Sequence, residues 1–597
     1  MMRRRKSSTP CRQIAFSLGA SFLFAFGLAA NAHAADYLDL PVVKPVISCE
    51  QLPKADVSQA AGAAVTIKSA AVTDTPKGSY CKVTGVIEPN IGFEVDLPIE
   101  HWTQRYAQQA AGGQRIANAG ANLPALNGEL VVAGNNRGEV LTNHQLIAEY
   151  TGELAGGAKG GRITNQQRID WAYRGNHETA LVGKALTEKF YGQKPRFSYF
   201  TGCSEGGRES LDEAQRYPAD FDGISAAAPV ALDNLHNPIY HLGELQANQR
   251  ADGSAVLTPA RASILHDAVM MHCAARSGVI DGVLQNPFAC KFDPAWALCP
   301  KGATDKSKCL TPEEVAVVVK LYAGPADAAG HRFEIGGFPM GTEAMWFGPG
   351  TPGGPSDDEM IAGPSVRRVL FQPEDDEDTD TINKKFAITE EWFNKLLTAA
   401  PLWNSTNTNL RPFEQHGSKL ILWHGAADLI VQPAISLAYY QGVQKVLGAK
   451  QTDTFMRYFL LPGVGHCGGG QTPTQLDTLT PLMAWTEMHQ APAKLIAGRT
   501  AGGQAAGGRG GRGGRGPNYP YSVPDQPALF TRPIYPYPYI ARYTGNGDEK
   551  DAANYEPVKS SAPIPLAFDT QAMQLIGPDN QLFYHVENGK LVGEKAK

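Results

Sequence analysis

From about Leu38 to Val230, short runs suited to β-strands alternate with stretches whose apolar positions recur at helical spacing, a pattern that predicts a parallel sheet covered by helices. Phe197-Ser-Tyr-Phe200 is one such strand. Ile169 to Phe190 before it and Glu205 to Arg216 after it have helical length and spacing, so the chain reads as helix, strand, tight turn, helix, with Ser204 in the turn. The alternation returns at Lys419-Leu-Ile-Leu-Trp423 and at Phe455 to Leu461, each an apolar strand running directly into a glycine-bearing loop. Asp428 lies in the first of those loops and His466 in the second.

Between Ala231 and Asn404 the texture changes to segments punctuated by Cys, Pro and Gly, with few regular strands and an acidic stretch from Glu374 to Asp380. Like charges in a row mark an exposed loop more often than a metal site. The region reads as a lid inserted into an α/β core, which divides the chain into a leader (1–34), a first part of the core (35–230), the lid (231–404) and a second part of the core (405–597). Within the last, Gly507 to Gly516 is built of Gly-Arg-Gly-Gly-Arg repeats and reads as a flexible loop insertion.

Composition fits this picture: of 597 residues 43% are apolar and only 19% charged, enough for a large core and more than one structural unit. The leader carries a basic cluster (Arg3, Arg4, Arg5, Lys6), an apolar run from Ile14 to Ala30 and a small-residue site at Ala32-His33-Ala34, the three parts of a secretory signal peptide. The apolar run falls short of the roughly 20 residues a membrane span needs. The mature chain is therefore expected to begin near Ala35, to be secreted or periplasmic, and to have no membrane partner after cleavage.

Cleavage would remove five basic residues and no acidic one, taking the formal net charge from −5 to −10. An acidic surface disfavours nucleic acid and anionic membranes as partners, and it weighs against an RNA-binding role for the Gly-Arg repeats. Of the nine cysteines, Cys11 leaves with the leader, and an even set in an exported chain argues for disulfides rather than metal ligation.

Gly202-Cys203-Ser204-Glu205-Gly206 matches the G-x-S-x-G turn that exposes a nucleophilic serine, and the strand before it and the helix after it supply the structural context the motif requires. A serine hydroxyl is a poor nucleophile at neutral pH and needs a base in reach and a group that holds that base in the right tautomer. His466 is the candidate base and Asp428 the candidate orienting acid, in the chain order Ser, Asp, His that the α/β-hydrolase fold uses. His424 is the rival base, although its place just before Asp428 reads better as a turn. Cys203 and Cys467 flank the proposed serine and histidine, so if those two meet, the sulfurs are candidates for a disulfide. The oxyanion hole is expected to use the backbone N–H of Glu205 and one from the glycine-rich Ala111-Gly112-Gly113 segment.

Taken together the motifs resemble the tannase and feruloyl esterase family, which includes the hydrolases of mono(2-hydroxyethyl) terephthalate. The resemblance runs from about Cys49 to Asn554 and is carried most specifically by Gly202-Cys-Ser-Glu-Gly-Gly-Arg208, Tyr217-Pro-Ala-Asp-Phe-Asp-Gly223 and Pro462-Gly-Val-Gly-His-Cys-Gly-Gly-Gly470. It implies an α/β-hydrolase core with a lid between serine and aspartate, hydrolysis of esters of aromatic acids, and Ser204, Asp428 and His466 as the triad. It also implies the disulfides Cys203–Cys467, Cys49–Cys81, Cys273–Cys290 and Cys299–Cys309. A further family pair is absent, since Tyr535 and the region of Glu556 stand where cysteines are expected. The family's lid pattern for structural calcium is also broken: the segment from Cys273 to Gly282 keeps Asp281 but has Ala274 and Ser277 at the other carboxylate positions, so weak calcium binding or none is expected. Ala110-Ala111 replaces glycines that are common in the family's oxyanion loop.

The resulting expectation is a secreted serine esterase that needs no cofactor, takes a small aromatic ester as substrate, and draws on lid aromatics such as Trp346, Phe347, Phe371 and Trp392 to hold a phenyl acid. Another serine hydrolase or acyltransferase chemistry, or a non-catalytic binding protein on the same scaffold, is the alternative, because one fold hosts many functions.

Overall fold

Among the described residues nine strands form the central sheet: β1 (Val65–Thr75), β2 (Gly78–Ile87), β3 (Ile91–Pro98), β4 (Arg105–Gln109), β5 (Leu130–Asn135), β6 (Phe197–Cys203), β7 (Gly223–Ala227), β8 (Lys419–Gly425) and β9 (Met456–Leu461). The computed structural model describes residues 37–75, 78–110, 129–138, 164–274, 283–347, 365–366, 369–370, 381, 384–473, 475–499, 528–560 and 570–595. The leader, Gly112, Gly113, Asp281, Phe371, the acidic stretch and the Gly-Arg repeats lie outside them. Strand order is β1-β2-β3-β5-β4-β6-β7-β8-β9. β1 to β3 form an antiparallel meander, β3 pairs antiparallel with β5, and every pairing from β5 through β9 is parallel. This is the α/β-hydrolase arrangement.

The parallel strands are apolar on both faces because helices cover both. Alternation along β8 shows the two sides: Leu420 and Leu422 join the core that holds Leu211 and Leu437, while Ile421 and Trp423 join the core that holds Leu482 and Trp485. On the first side lie α1 (Gly175–Tyr191) and α2 (Glu205–Arg216). α1 continues a helical stretch from Asn165 through one π turn, Asp170–Arg174, so the predicted helix is present with an irregular first half.

Between β7 and β8 the chain leaves the sheet, and its described residues there form helices, among them α3 (Pro259–Cys273) and α4 (Pro312–Ala323), with no β-structure beyond isolated bridges. Leu265 and Val269 of α3 pack with Val318 and Leu321 of α4, Trp346 and Leu429 in a third apolar cluster. Trp346 is buried there against Tyr322 and Phe338, a core position rather than an open face for a substrate ring. Phe347 and Trp392 are half-buried. The helix after β8 is α5 (Pro433–Leu447). Among the described residues no helix is long and apolar enough to cross a membrane.

α2 is unusual for its buried charges. Glu205, Arg208, Glu209, Asp212, Glu213 and Arg216 are all buried, although such a composition ordinarily marks a solvated helix. Partners make this tolerable: from distant segments Arg137 pairs with Glu209 at 2.9 Å and Asn176 donates to the other Glu209 oxygen at 2.9 Å, and within the helix Arg216 pairs with Asp212 at 2.9 Å. The guanidinium groups of Arg137 and Arg208 both lie over the Trp171 ring, which the π turn presents. The helix that follows Ser204 is thus pinned along its length.

Candidate active site

Ser204 follows the last residue of β6 and adopts φ 65°, ψ −120°, a conformation that non-glycine residues rarely take and that aims the side chain away from both strand and helix. The turn closes only because its neighbours are small. A Cβ on Gly202 would come within 2.1 Å of the Gly206 carbonyl oxygen, and one on Gly207 within 2.1 Å of the Ala227 carbonyl oxygen. These contacts are the physical content of the G-x-S-x-G-G pattern.

Asp428 and His466 arrive from the carboxyl ends of β8 and β9, the same edge of the sheet as Ser204. His466 Nε2 lies 2.8 Å from Ser204 Oγ, and His466 Nδ1 lies 2.8 Å from Asp428 Oδ2. The histidine remains partly accessible, its side chain 16% exposed, whereas Asp428 is fully buried. Asp428 Oδ1 accepts hydrogen bonds from the N–H groups of Ile430 (2.8 Å) and Val431 (3.0 Å). Burial alone would raise its carboxyl, but the charge of His466 and hydrogen bonds from His424 and His466 outweigh it and hold the group well below the usual carboxylate range. The acid is therefore ionised and aimed at the histidine.

His424 belongs to β8 rather than to a turn, which corrects the sequence expectation. It reaches the same Asp428 oxygen as His466, with Nε2 3.2 Å from Asp428 Oδ2 and 2.9 Å from the Val431 carbonyl, and Nδ1 2.7 Å from Ser436 Oγ. Its partners make it a support for the acid rather than a base for Ser204. The residue type was visible in the sequence, but His424-Gly-Ala-Ala-Asp428 gave no sign that the histidine would bond the aspartate.

Cys203 and Cys467 are bonded, with Cα atoms 6.0 Å apart across 264 residues of sequence. The other bridges are Cys49–Cys81, Cys273–Cys290 and Cys299–Cys309. At the positions of the missing family pair, Tyr535 OH donates to the Tyr555 carbonyl and Glu556 pairs with Arg542.

Glu205 is the first residue of α2, so its amide belongs to the helix N-terminus, the end that favours developing negative charge. Its side chain is ion-paired with Arg208, which also donates to the Ala172 carbonyl at 2.8 Å. Gly112 and Gly113 lie outside the described residues; Ala110, the last described residue before them, donates its N–H to the Thr201 carbonyl at 2.9 Å, three residues before Ser204. Among the described residues no group of three or more His, Cys, Asp or Glu is arranged to hold a metal ion.

A family model described as tannase and feruloyl esterase matches residues 72–558. A probable feruloyl esterase of Arthroderma benhamiae is 32% identical over 65% of this chain and 69% of its own length. The mono(2-hydroxyethyl) terephthalate hydrolase of Piscinibacter sakaiensis is 28% identical over 80% of this chain and 84% of its own. The crystal structure of feruloyl esterase B from Aspergillus oryzae superposes with a TM-score of 0.67 over 85% of this chain and 99% of that one, and at 21% identity that likeness speaks for the fold.

Proposed function

The chain belongs to the tannase and feruloyl esterase family and is a carboxylic ester hydrolase, and we propose that it cleaves esters of aromatic acids with Ser204 as nucleophile, His466 as general base and Asp428 as the acid that orients the base. The observation that carries this reading is the unbroken line from Ser204 Oγ through both nitrogens of His466 to Asp428, with 2.8 Å at each step.

In the proposed mechanism Ser204 Oγ attacks the ester carbonyl while His466 Nε2 takes its proton, and the Asp428 carboxylate stabilises the imidazolium. Negative charge gathers on the carbonyl oxygen, where the Glu205 amide at the helix N-terminus and an amide from the Gly112-Gly113 segment serve as donors. Collapse of the tetrahedral intermediate breaks the bond to the alcohol, which leaves with the proton held by His466. Water then enters, His466 takes its proton in turn, and the acid is released from Ser204. No metal or cofactor enters these steps. The disulfides and the secretory leader read from the sequence support an exported enzyme.

The aromatic preference rests on the relatives, whose names include feruloyl and terephthalate esters. Hydrolysis of methyl gallate, methyl ferulate and mono(2-hydroxyethyl) terephthalate by the purified protein, beside Ser204→Ala, tests it. Cleavage of at least one ester by the wild type and none by the variant is expected. Hydrolysis of alkanoate esters alone would remove the aromatic assignment.

A further inference from the structure

The two amides that hold Asp428 belong to peptide units gripped from behind by a single helical turn. The Ile430 N–H, bonded to Asp428 Oδ1, shares a peptide plane with the Leu429 carbonyl, which accepts a hydrogen bond from Tyr240 OH at 3.1 Å. The Val431 N–H, bonded to the same oxygen, shares a plane with the Ile430 carbonyl, which accepts from His236 Nε2 at 2.7 Å. His236 and Tyr240 are the first and last residues of one π turn, His236–Tyr240, on the segment that follows β7. Both are buried, and their rings stack with centroids 4.8 Å apart.

We propose that His236 and Tyr240 are positioning residues for Asp428, which fix the Leu429–Ile430 and Ile430–Val431 peptide units and thereby the carboxylate that orients His466. This rests on the triad reading above. The physical basis is the planar peptide: pinning its C=O end pins its N–H end. A carbonyl that accepts a hydrogen bond also makes the N–H of its own peptide a stronger donor, since hydrogen bonds in a chain polarise one another.

The state of His236 fits the role. Burial first, and then the charge of neighbouring His241, push it down to about 3, so it is neutral at working pH. Its Nδ1 is buried with no hydrogen-bond partner, as suits a lone pair, which leaves the proton on the Nε2 that faces Ile430. Leu429 and Tyr240 also share the apolar cluster of the inserted segment, so the grip joins that segment to the acid loop.

His236→Phe, Tyr240→Phe and His236→Gln test the proposal, Gln being chosen because its amide nitrogen reaches where the imidazole Nε2 sits. The three aromatic esters above are the probes. For His236→Phe, kcat should fall about tenfold with KM unchanged, because a buried carbonyl loses its donor. Tyr240→Phe should lose roughly threefold to tenfold on the same grounds. The downfield proton resonance of His466 Nδ1–H should shift in both, and His236→Gln should restore rate and resonance together. Wild-type kcat in both Phe variants, a loss confined to KM, or a Gln variant as slow as His236→Phe would overturn the proposal. Should His236→Phe fail to fold, Tyr240→Phe, which removes one oxygen, decides alone. Dead Ser204→Ala with wild-type Phe variants overturns the grip and leaves the triad standing, whereas an active Ser204→Ala overturns both.

Discussion

Cys203 and Cys467 form a disulfide between the residue immediately before Ser204 and the residue immediately after His466. The bond ties the end of β6 to the loop after β9 where Ser204 Oγ and His466 Nε2 lie 2.8 Å apart, so in the proposed mechanism it holds nucleophile and base together. A 1 Å displacement of reacting groups costs on the order of 100-fold in rate. The Cys203→Ser/Cys467→Ser double variant should therefore lose most of its kcat on a cleaved ester, and its Tm should fall too, since removing a native disulfide typically costs about 2–5 kcal/mol. Steady-state kinetics and calorimetry check both parts, and a fully active variant with lowered Tm would make the bond structural only.

Asp428 is buried with its two oxygens divided between jobs: Oδ1 takes two backbone amides, while Oδ2 takes His466 and His424. Asp428→Asn keeps the shape but offers His466 Nδ1 an amide in place of a carboxylate, which favours the wrong tautomer. The expected loss is about 10⁴ in kcat, the size measured for the equivalent change in a serine protease. KM should change little, and a loss below about tenfold would mean that His424 or the loop can supply the orientation without the charge.

Much of this site was legible in the sequence because its signals are local. A strand, a small-residue turn and a helix around Ser204 form one contiguous pattern, and the helix predicted at Glu205 to Arg216 has those bounds in the structure. β6 extends past the predicted Phe200 to Cys203, because Thr201 and Gly202 still pair with Ser225 and Ala226 of β7 although glycine reads as a break. Features that depend on distant partners left no such trace. Nothing near Glu209 announces Arg137 or Asn176, so the charges of α2 look solvated until the fold buries them. His236 and Tyr240 likewise sit in no motif, and only the return of the chain at β8 brings the Leu429 and Ile430 carbonyls to them.

Glu334 is fully buried in the inserted segment, where Oε1 accepts from the Ile335 N–H at 2.8 Å. Burial pushes its carboxyl up to about 8 from an ordinary 4.5, against the opposing pull of that hydrogen bond and of His241. The folded chain therefore keeps a proton that the unfolded chain has released between those two values, and stability is full below the unfolded value and is lost as pH rises through the folded one. Glu334→Gln is neutral at every pH and keeps the acceptor. The Tm of the variant relative to wild type should rise steadily from pH 5 to pH 8, a window set by those two values. A difference independent of pH would show that Glu334 is not protonated in the fold.

The proposed role of Ser204 as the nucleophile of a serine esterase is tested by the intact mass of the protein after treatment with a fluorophosphonate, followed by peptide mapping. A single adduct on Ser204 is expected, with concurrent loss of ester hydrolysis, no adduct on Ser204→Ala, and residual activity in that variant lower by about 10⁶ in kcat. A wild-type protein that hydrolyses the esters while Ser204 stays unlabelled, or a Ser204→Ala variant that still turns them over, would contradict it.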